Sequence, residues 1–177
     1  MNIFFLDRDP QIAATYHCDK HVVKMILESA QLLSTAHRIL DGQLVAGKSK
    51  AGRNVKRWIL NDNRENVLYQ AGHVNHPSAV WVRSNIDHYR FLYDLMYFLI
   101  GEYKYRYGGK VHKCEELLIP LIDSPHNIPN VAWYDPPLAM PDECKVGGAV
   151  ESYRNYYMTK KRTMASWKIR GVPSWYK

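Results

Sequence analysis

The hydrophobic residues of this chain recur every three to four positions over long stretches, a spacing that predicts α-helices. The first stretch begins at Asp9 and Pro10, an N-cap followed by a first-turn proline, and we expect its helix to run from Pro10 to Leu40. A second helix is expected from Ser78 to Tyr107, where two glycines stop it. The other predicted elements are an extended start, three short helical pieces and a C-terminal helix, at residues 2–6, 55–60, 64–71, 114–122 and 149–167.

Two connections interrupt this helical pattern. Residues 42–54 form a loop rich in Gly and Lys, and residues 120–142 carry six prolines, which disfavour regular structure. The letters GQLVAGKS at 42–49 fit the phosphate-loop pattern, but a long helix precedes them where that motif needs a strand, so we interpret the match as chance. The sequence thus predicts a mainly α fold, a single compact domain over residues 1–177 with two long helices, a C-terminal helix and irregular Pro-rich connections.

The composition indicates a globular and basic protein. Of the 177 residues, 46% are hydrophobic and 23% are charged, which favours a packed core over disorder. A net charge of +7, with thirteen Tyr and five Trp, suits a nucleic-acid partner, because cations neutralise phosphates and aromatic rings stack on bases. No hydrophobic run is long enough to span a membrane and no signal peptide is recognisable, so we expect a cytoplasmic protein without membrane contact.

One polar stripe runs along the first predicted helix. At about 100° per residue, a set of polar side chains falls on one face of this helix. Its members are His17, His21, Lys24, Glu28, Gln31 and Thr35. Hydrophobic residues cover most of the remaining circumference, as is typical of a central helix. The stripe is therefore either a narrow solvent-exposed strip with pairs such as Lys24–Glu28, or the wall of a cleft.

Two kinds of chemistry are open to a cleft lined by this stripe. His17 and His21, four residues apart, could share a metal ion, as in a metal-dependent hydrolase. Alternatively, Lys24 or the amine of Met1 could attack an electrophilic carbon, while Glu28 shuttles protons or stabilises a developing cation. In that second case the two histidines would be proton carriers or phosphate contacts.

Four segments of the chain resemble the pyrimidine-dimer DNA glycosylase family, the endonuclease V-like group of small bacterial and phage proteins. The segment CDKHVVKMILESAQLL is similar to the family's signature helix at Asp19, Lys24, Glu28 and Gln31. The segment NHPSAVWVR, residues 75–83, resembles the Asn-His-Pro stretch that leads into the family's second long helix. The segments ESYRNYYMTKK and VPSWYK are similar to stretches near the family's C-terminus, and all four occur in the family's order.

The resemblance implies a helical DNA repair enzyme that needs no cofactor. Family enzymes cut the N-glycosidic bond at a pyrimidine dimer and then nick the strand through a Schiff base. In the phage members the nucleophile is the α-amine of a Thr that removal of Met exposes, and a helix Glu assists. Here residue 2 is Asn, which is too large for efficient Met removal, and His21 stands at the position of that Glu. Met1 or Lys24 would then supply the amine, and Glu28 the carboxylate.

We therefore expect a DNA glycosylase for damaged or modified pyrimidines, with AP lyase activity if an amine is retained, in a bacterial or phage-infected cell. Protein partners are not indicated. The alternative is a non-catalytic protein that binds DNA or a nucleotide on the same fold. The expected DNA contacts are Lys20, Asn75, His76, Arg83, Lys160, Lys161, Arg162, Trp175 and Tyr176, together with the loop cations Lys48, Lys50, Arg53, Lys56 and Arg57.

Overall fold

The computed structural model describes residues 1–49 and 51–177; Lys50, one of the expected phosphate contacts, lies outside the described residues. The fold is mainly helical, with 48% of the residues in helices and one small two-stranded sheet. The helices are α1 Pro10–Tyr16, α2 Asp19–Asp41, α3 Pro77–Arg83, α4 Ile86–Arg106 and α5 Ala149–Lys160. The strands are β1 Gln43–Lys48 and β2 Asn54–Ile59, and short 3-10 helices occupy Asn63–Asn66, Lys113–Leu117, Asp142–Cys144 and Arg162–Met164.

The first predicted helix is interrupted between α1 and α2. His17 and Cys18 both have extended backbone, so the prediction of one continuous helix from Pro10 to Leu40 is wrong. The carbonyl groups freed by the break accept hydrogen bonds from a residue far along the chain, because Arg106 donates to Thr15 and to His17 at 2.8 Å each. A helix end is stable when such orphan carbonyls find partners. The consequence for the polar stripe is that His17 leaves it.

Two further helix predictions need correction. The second long helix is divided at Ser84, because the side chain of Asn85 caps α4 by accepting from the backbone N–H of Asp87 at 2.7 Å. The C-terminal helix α5 ends at Lys160 rather than near residue 167. Ser166, within the predicted span, instead binds the start of α2 through its backbone carbonyl and its hydroxyl.

The basic loop and the helical piece predicted after it are in fact a β-hairpin. β1 and β2 pair antiparallel, with Leu44 opposite Trp58 and Gly47 opposite Val55. Gly52 in the turn has a φ of +74°, a left-handed conformation that favours glycine. The residues that fit the phosphate-loop pattern therefore lie mostly in β1, and the predicted helix at 55–60 is wrong.

The core forms around α2, which packs against α3 and α4, while α4 also packs against α1. The N-terminal segment Ile3–Leu6 is buried in this core without belonging to a strand, next to Tyr153 and Tyr157 of α5. The segment after the 3-10 helix Asn63–Asn66 is irregular rather than helical up to α3. Within the described residues, no helix combines the length and the apolar character that crossing a membrane requires.

Candidate active site

The carboxylate of Glu28 is the centre of the candidate site. Its side chain is only 11% exposed, and each of its oxygens faces nitrogen donors. Oε1 lies 3.1 Å from Nζ of Lys24, one helical turn earlier on α2. Oε2 accepts a hydrogen bond of 2.9 Å from the backbone N–H of Asn2 and lies 3.8 Å from the amine of Met1. The structure therefore brings together the amines of Met1 and Lys24 and the carboxylate of Glu28, the three groups that the sequence predicts for the site.

The N-terminal segment is held firmly against α2. The side chain of Asn2 donates to the carbonyl of Ala139 at 2.9 Å and accepts from the N–H of Ile3 at 2.7 Å. Phe4 has a φ of +53°, a conformation that costs free energy for a residue with a side chain. Packing holds it there, since its ring lies 4.2 Å from that of His21. Residues 1 and 2 are thus presented to Glu28 by tertiary contacts.

A cavity of about 370 Å³ opens beside Met1, whose amine lies 3.8 Å from this carboxylate. Its lining combines an aromatic ring, two amide side chains and the start of the chain, contributed by Met1, Gln31, Tyr69, Gln70, Gly72 and His73. Gln31 stands one helical turn after Glu28 on α2, so the polar stripe continues into the wall of the cavity. Amide groups and a ring are the groups with which proteins hold an extruded base.

The far wall of the cavity is tied to α2 by Arg38 and Thr35. The Arg38 side chain is fully buried and donates to the carbonyls of Tyr69 at 2.6 Å and Leu68 at 2.9 Å. The hydroxyl of Thr35 accepts from the N–H of Gly72 at 3.2 Å. These bonds explain why residues 67–72 are not helical, since their backbone groups are taken up by side chains of α2.

His76 lies close to the same groups. Burial lowers its pKa, and the positive amine of residue 1 and the neighbouring His73 lower that pKa further. Its Nδ1 accepts a hydrogen bond of 3.1 Å from the backbone N–H of Ser78, so the ring caps the start of α3. This histidine therefore has a definite structural role at the edge of the site.

His17 and His21 do not behave as the sequence suggested. His17 is fully buried, its Nδ1 donates to the carbonyl of Ala13 at 2.7 Å, and burial lowers its pKa to about 4. His21 is also buried, its Nδ1 lies 2.5 Å from the hydroxyl of Tyr157, and burial lowers its pKa to about 3. Neither ring titrates near neutral pH, which argues against proton carriers.

The same contacts bear on the metal hypothesis. One nitrogen of His17 and one of His21 already have protein partners, and His17 no longer shares a helical face with His21. Among residues 1–49 and 51–177, no group of three or more His, Cys, Asp or Glu side chains is arranged to hold a metal ion. The arrangement gives the metal-dependent hydrolase no support.

The expected DNA contacts are dispersed, and several have internal roles. Arg83 donates to the carbonyl of Val74 at 2.7 Å and so braces the Asn-His-Pro loop. Lys160 pairs with Glu143 at 2.9 Å. Trp175 and Tyr176 are partly buried, with edge-to-face contacts to Tyr16 and Trp167 among others. The exposed members of this set include Lys20, Asn75, Lys160 and Arg162, and Lys161 covers the ring of Tyr156 at 4.8 Å.

Sequence reasoning missed the residues that complete the cavity. Tyr69 and Gln70 lie in a segment predicted to be helical, and no motif marks them. One signal pointed to this segment: Thr35, on the polar stripe of a buried helix, needed a hydrogen-bond partner from elsewhere in the chain, and the N–H of Gly72 provides it. Comparison with protein-family models, with curated proteins and with solved structures found no match to this chain.

Proposed function

We propose that this protein is a DNA glycosylase with AP lyase activity that acts on damaged or modified pyrimidines. The observation that carries the proposal is the pairing of the Met1 amine with the carboxylate of Glu28, next to a cavity of about 370 Å³ that Met1 lines together with Gln31 and Gln70. Further support comes from the family resemblance. Three of its four signature positions, Lys24, Glu28 and Gln31, lie at this site or in the cavity wall, whereas the fourth, Asp19, pairs with Arg106. The net charge of +7 suits a DNA substrate.

In the proposed reaction the neutral amine attacks C1′ of the damaged nucleotide, and the N-glycosidic bond breaks as the new C–N bond forms. The base takes up the proton that the attacking amine loses. The C1′–O4′ bond of the sugar then breaks, O4′ takes up a proton, and the nitrogen forms a double bond to C1′, which gives a protonated Schiff base. Removal of a proton from C2′ then expels the 3′ phosphate, which nicks the strand. Glu28 would stabilise the cationic sugar and carry protons between these steps.

The amine at residue 1 is the preferred nucleophile, and Lys24 is the second candidate. An attacking amine must be neutral, and α-amines are ordinarily less basic than lysine side chains. The Lys24 side chain is 65% exposed, whereas that of Met1 is 6% exposed and lines the cavity. If Met1 is removed, the nitrogen of Asn2 becomes the amine, and it already lies 2.9 Å from Glu28.

Borohydride trapping on duplexes that contain one thymine dimer or one abasic site tests the proposal. We expect a covalent adduct with the pure protein, and peptide mapping should assign the adduct to the first residue. A Glu28→Gln variant, which keeps the hydrogen bond from Asn2, should lose about 10²-fold or more in the trapping rate. Glu151→Gln, the same exchange at an exposed carboxylate on α5, is the matched control and should behave as wild type.

Two results would redirect the proposal. An adduct mapped to Lys24 would move the nucleophile to that side chain. No base release and no adduct, with duplex binding intact, would favour the non-catalytic nucleic-acid-binding alternative. That alternative is favoured by His21, which stands at the family's Glu position and is buried by Phe4 and Tyr157.

A further inference from the structure

The β-hairpin of residues 43–59 is the most strongly basic element of the fold. The sequence between Gly42 and Asn61 contains five Lys or Arg residues and no Asp or Glu. Of the four described cations, Lys48, Arg53 and Lys56 are exposed and Arg57 is half-buried. Within the part of the chain that the structure describes, none of the four forms an ion pair with a carboxylate, and Lys48 donates to the side chain of Asn54.

The acidic residues that flank the hairpin are already engaged elsewhere. Asp41 and Asp62 both pair with Arg64, at 2.6 and 2.7 Å. Glu65 pairs with Arg38 at 2.6 Å. Within the described residues, no carboxylate lies within ion-pair distance of the four hairpin cations, and three of the four are exposed to solvent. Uncompensated cations on an exposed element indicate an anionic partner.

The shape of the hairpin fits the groove of a nucleic-acid duplex. Each strand has six residues, which corresponds to a ribbon about 20 Å long, and a two-stranded ribbon enters the major groove of B-DNA. The side chains of Leu44, Ala46 and Lys56 lie on one exposed face. The apolar side chains of this face suit contact with sugars and thymine methyl groups, and its lysine suits contact with phosphates.

The base of the hairpin is fixed to the wall of the candidate active site. Arg38 donates to the carbonyl of Trp58 in β2 at 2.9 Å and to that of Tyr69 in the cavity wall at 2.6 Å. Glu65 accepts from Arg38 and from the N–H of Leu60, just after β2. One buried guanidinium therefore sets the position of the hairpin relative to the cavity.

From this geometry we infer that the hairpin is a second DNA-binding element, which contacts the phosphates of duplex DNA beside the nucleotide held at the cavity. The part of the inference that refers to the cavity rests on the proposed function, whereas the contact with duplex DNA does not. Because each strand of B-DNA carries a phosphate every 3.4 Å or so, the ribbon of about 20 Å reaches phosphates about six base pairs away from its base.

The salt dependence of binding to long undamaged duplex DNA tests the inference. The variant Arg53→Gln/Lys56→Gln removes two exposed cations, one in the turn and one in β2. Each lost phosphate contact reduces the slope of log K against log salt by about 0.9, so the slope should fall by about 1.8. If the affinities converge near 1 M salt, the loss at 0.1 M is about 60-fold.

The matched control is Lys110→Gln/Lys168→Gln, which changes the net charge by the same amount. Both lysines are exposed, and Lys168 covers the ring of Tyr107, whose hydroxyl donates to the carbonyl of Asp19 at the start of α2. The hairpin follows the other end of this 23-residue helix, about 30 Å away. The control variant should keep the wild-type slope within about 0.5.

Amide hydrogen exchange of the wild-type chain provides a measurement that needs no variant. Residues 43–59 should become protected when a saturating duplex is added. Three results would each overturn the inference. The hairpin variant could keep the wild-type salt slope, the control variant could lose as much slope as the hairpin variant, or amide exchange at residues 43–59 could stay unchanged when duplex is added. Binding of the hairpin to vesicles with anionic lipid headgroups, without protection by duplex DNA, would also overturn it.

The outcomes separate this inference from the proposed function. Base release by a hairpin variant whose duplex binding is unchanged would refute the inference and leave the glycosylase proposal intact. A weakened salt slope in the hairpin variant would support the hairpin as a DNA contact. If the wild-type protein then released no base from damaged DNA, the glycosylase proposal alone would be refuted.

Discussion

Replacement of Arg38 by Met should severely destabilise the fold, because this buried guanidinium makes five hydrogen bonds. Four of them satisfy backbone carbonyls and one satisfies the carboxylate of Glu65. At about 1 kcal/mol for each lost bond, the free energy of unfolding should fall by about 5 kcal/mol. Removal of one member of a buried ion pair costs about 3–5 kcal/mol in other proteins, which is the same range.

Urea unfolding followed by circular dichroism measures this loss. Arg90→Met is the matched control, since Arg90 is 65% exposed and its nearest carboxylate oxygen, on Asp87, lies 3.6 Å away. An exposed pair contributes about 0–1 kcal/mol, so the control should remain close to wild type. Hydrogen exchange in Arg38→Met should increase at residues 58–60 and 65–72. A loss below about 1 kcal/mol, equal to that of Arg90→Met, would refute the reasoning that Arg38 joins the hairpin to the cavity wall.

Two further predictions concern pH and metal ions. Burial lowers the pKa of His17 from 6.5 to about 4 and that of His21 to about 3, so the unfolded state binds more protons below pH 6.5. The stabilisation from neutral rings is complete above pH 6.5 and is lost as the pH falls towards the folded-state values, by about 3 kcal/mol for His17. Melting temperatures at pH 7.5 and 5.0 should show this decrease, and a flat profile would contradict the burial of both rings. Base release should be unaffected by an excess of EDTA, and inactivation that zinc reverses would restore the metal hypothesis.

Local signals in the sequence located some elements accurately. The start of α1 at Pro10 follows from Asp9, which accepts from the N–H groups of Gln11 and Ile12. The end of α2 at Asp41 follows from Gly42. The placement of Lys24, Glu28 and Gln31 on one face follows from helical periodicity alone. These features depend on residues within one or two turns of each other, which is why the sequence determines them.

The remaining features depend on contacts between distant parts of the chain. The break at His17 is stabilised by Arg106, and the irregular cavity wall by Arg38, neither of which leaves a local pattern. The hairpin has alternating hydrophobic and polar residues, a pattern that short helices also tolerate. Only the pairing of β1 with β2 makes these segments strands rather than helices. The break at Asn85 is different, because Asn85 and Asp87 form a local cap signal that could have been used.

The sequence by itself therefore determined the helical character, the basic charge and the amine–carboxylate pair on α2. Only the tertiary structure decided which polar residues of the stripe reach a cavity and which are buried in the core. His21 and Glu28 are both polar members of one helical face, yet an aromatic cluster covers the first and the N-terminal segment meets the second. Periodicity fixes the direction of a side chain around its helix, whereas its surroundings depend on the segments that pack against that helix from elsewhere in the chain.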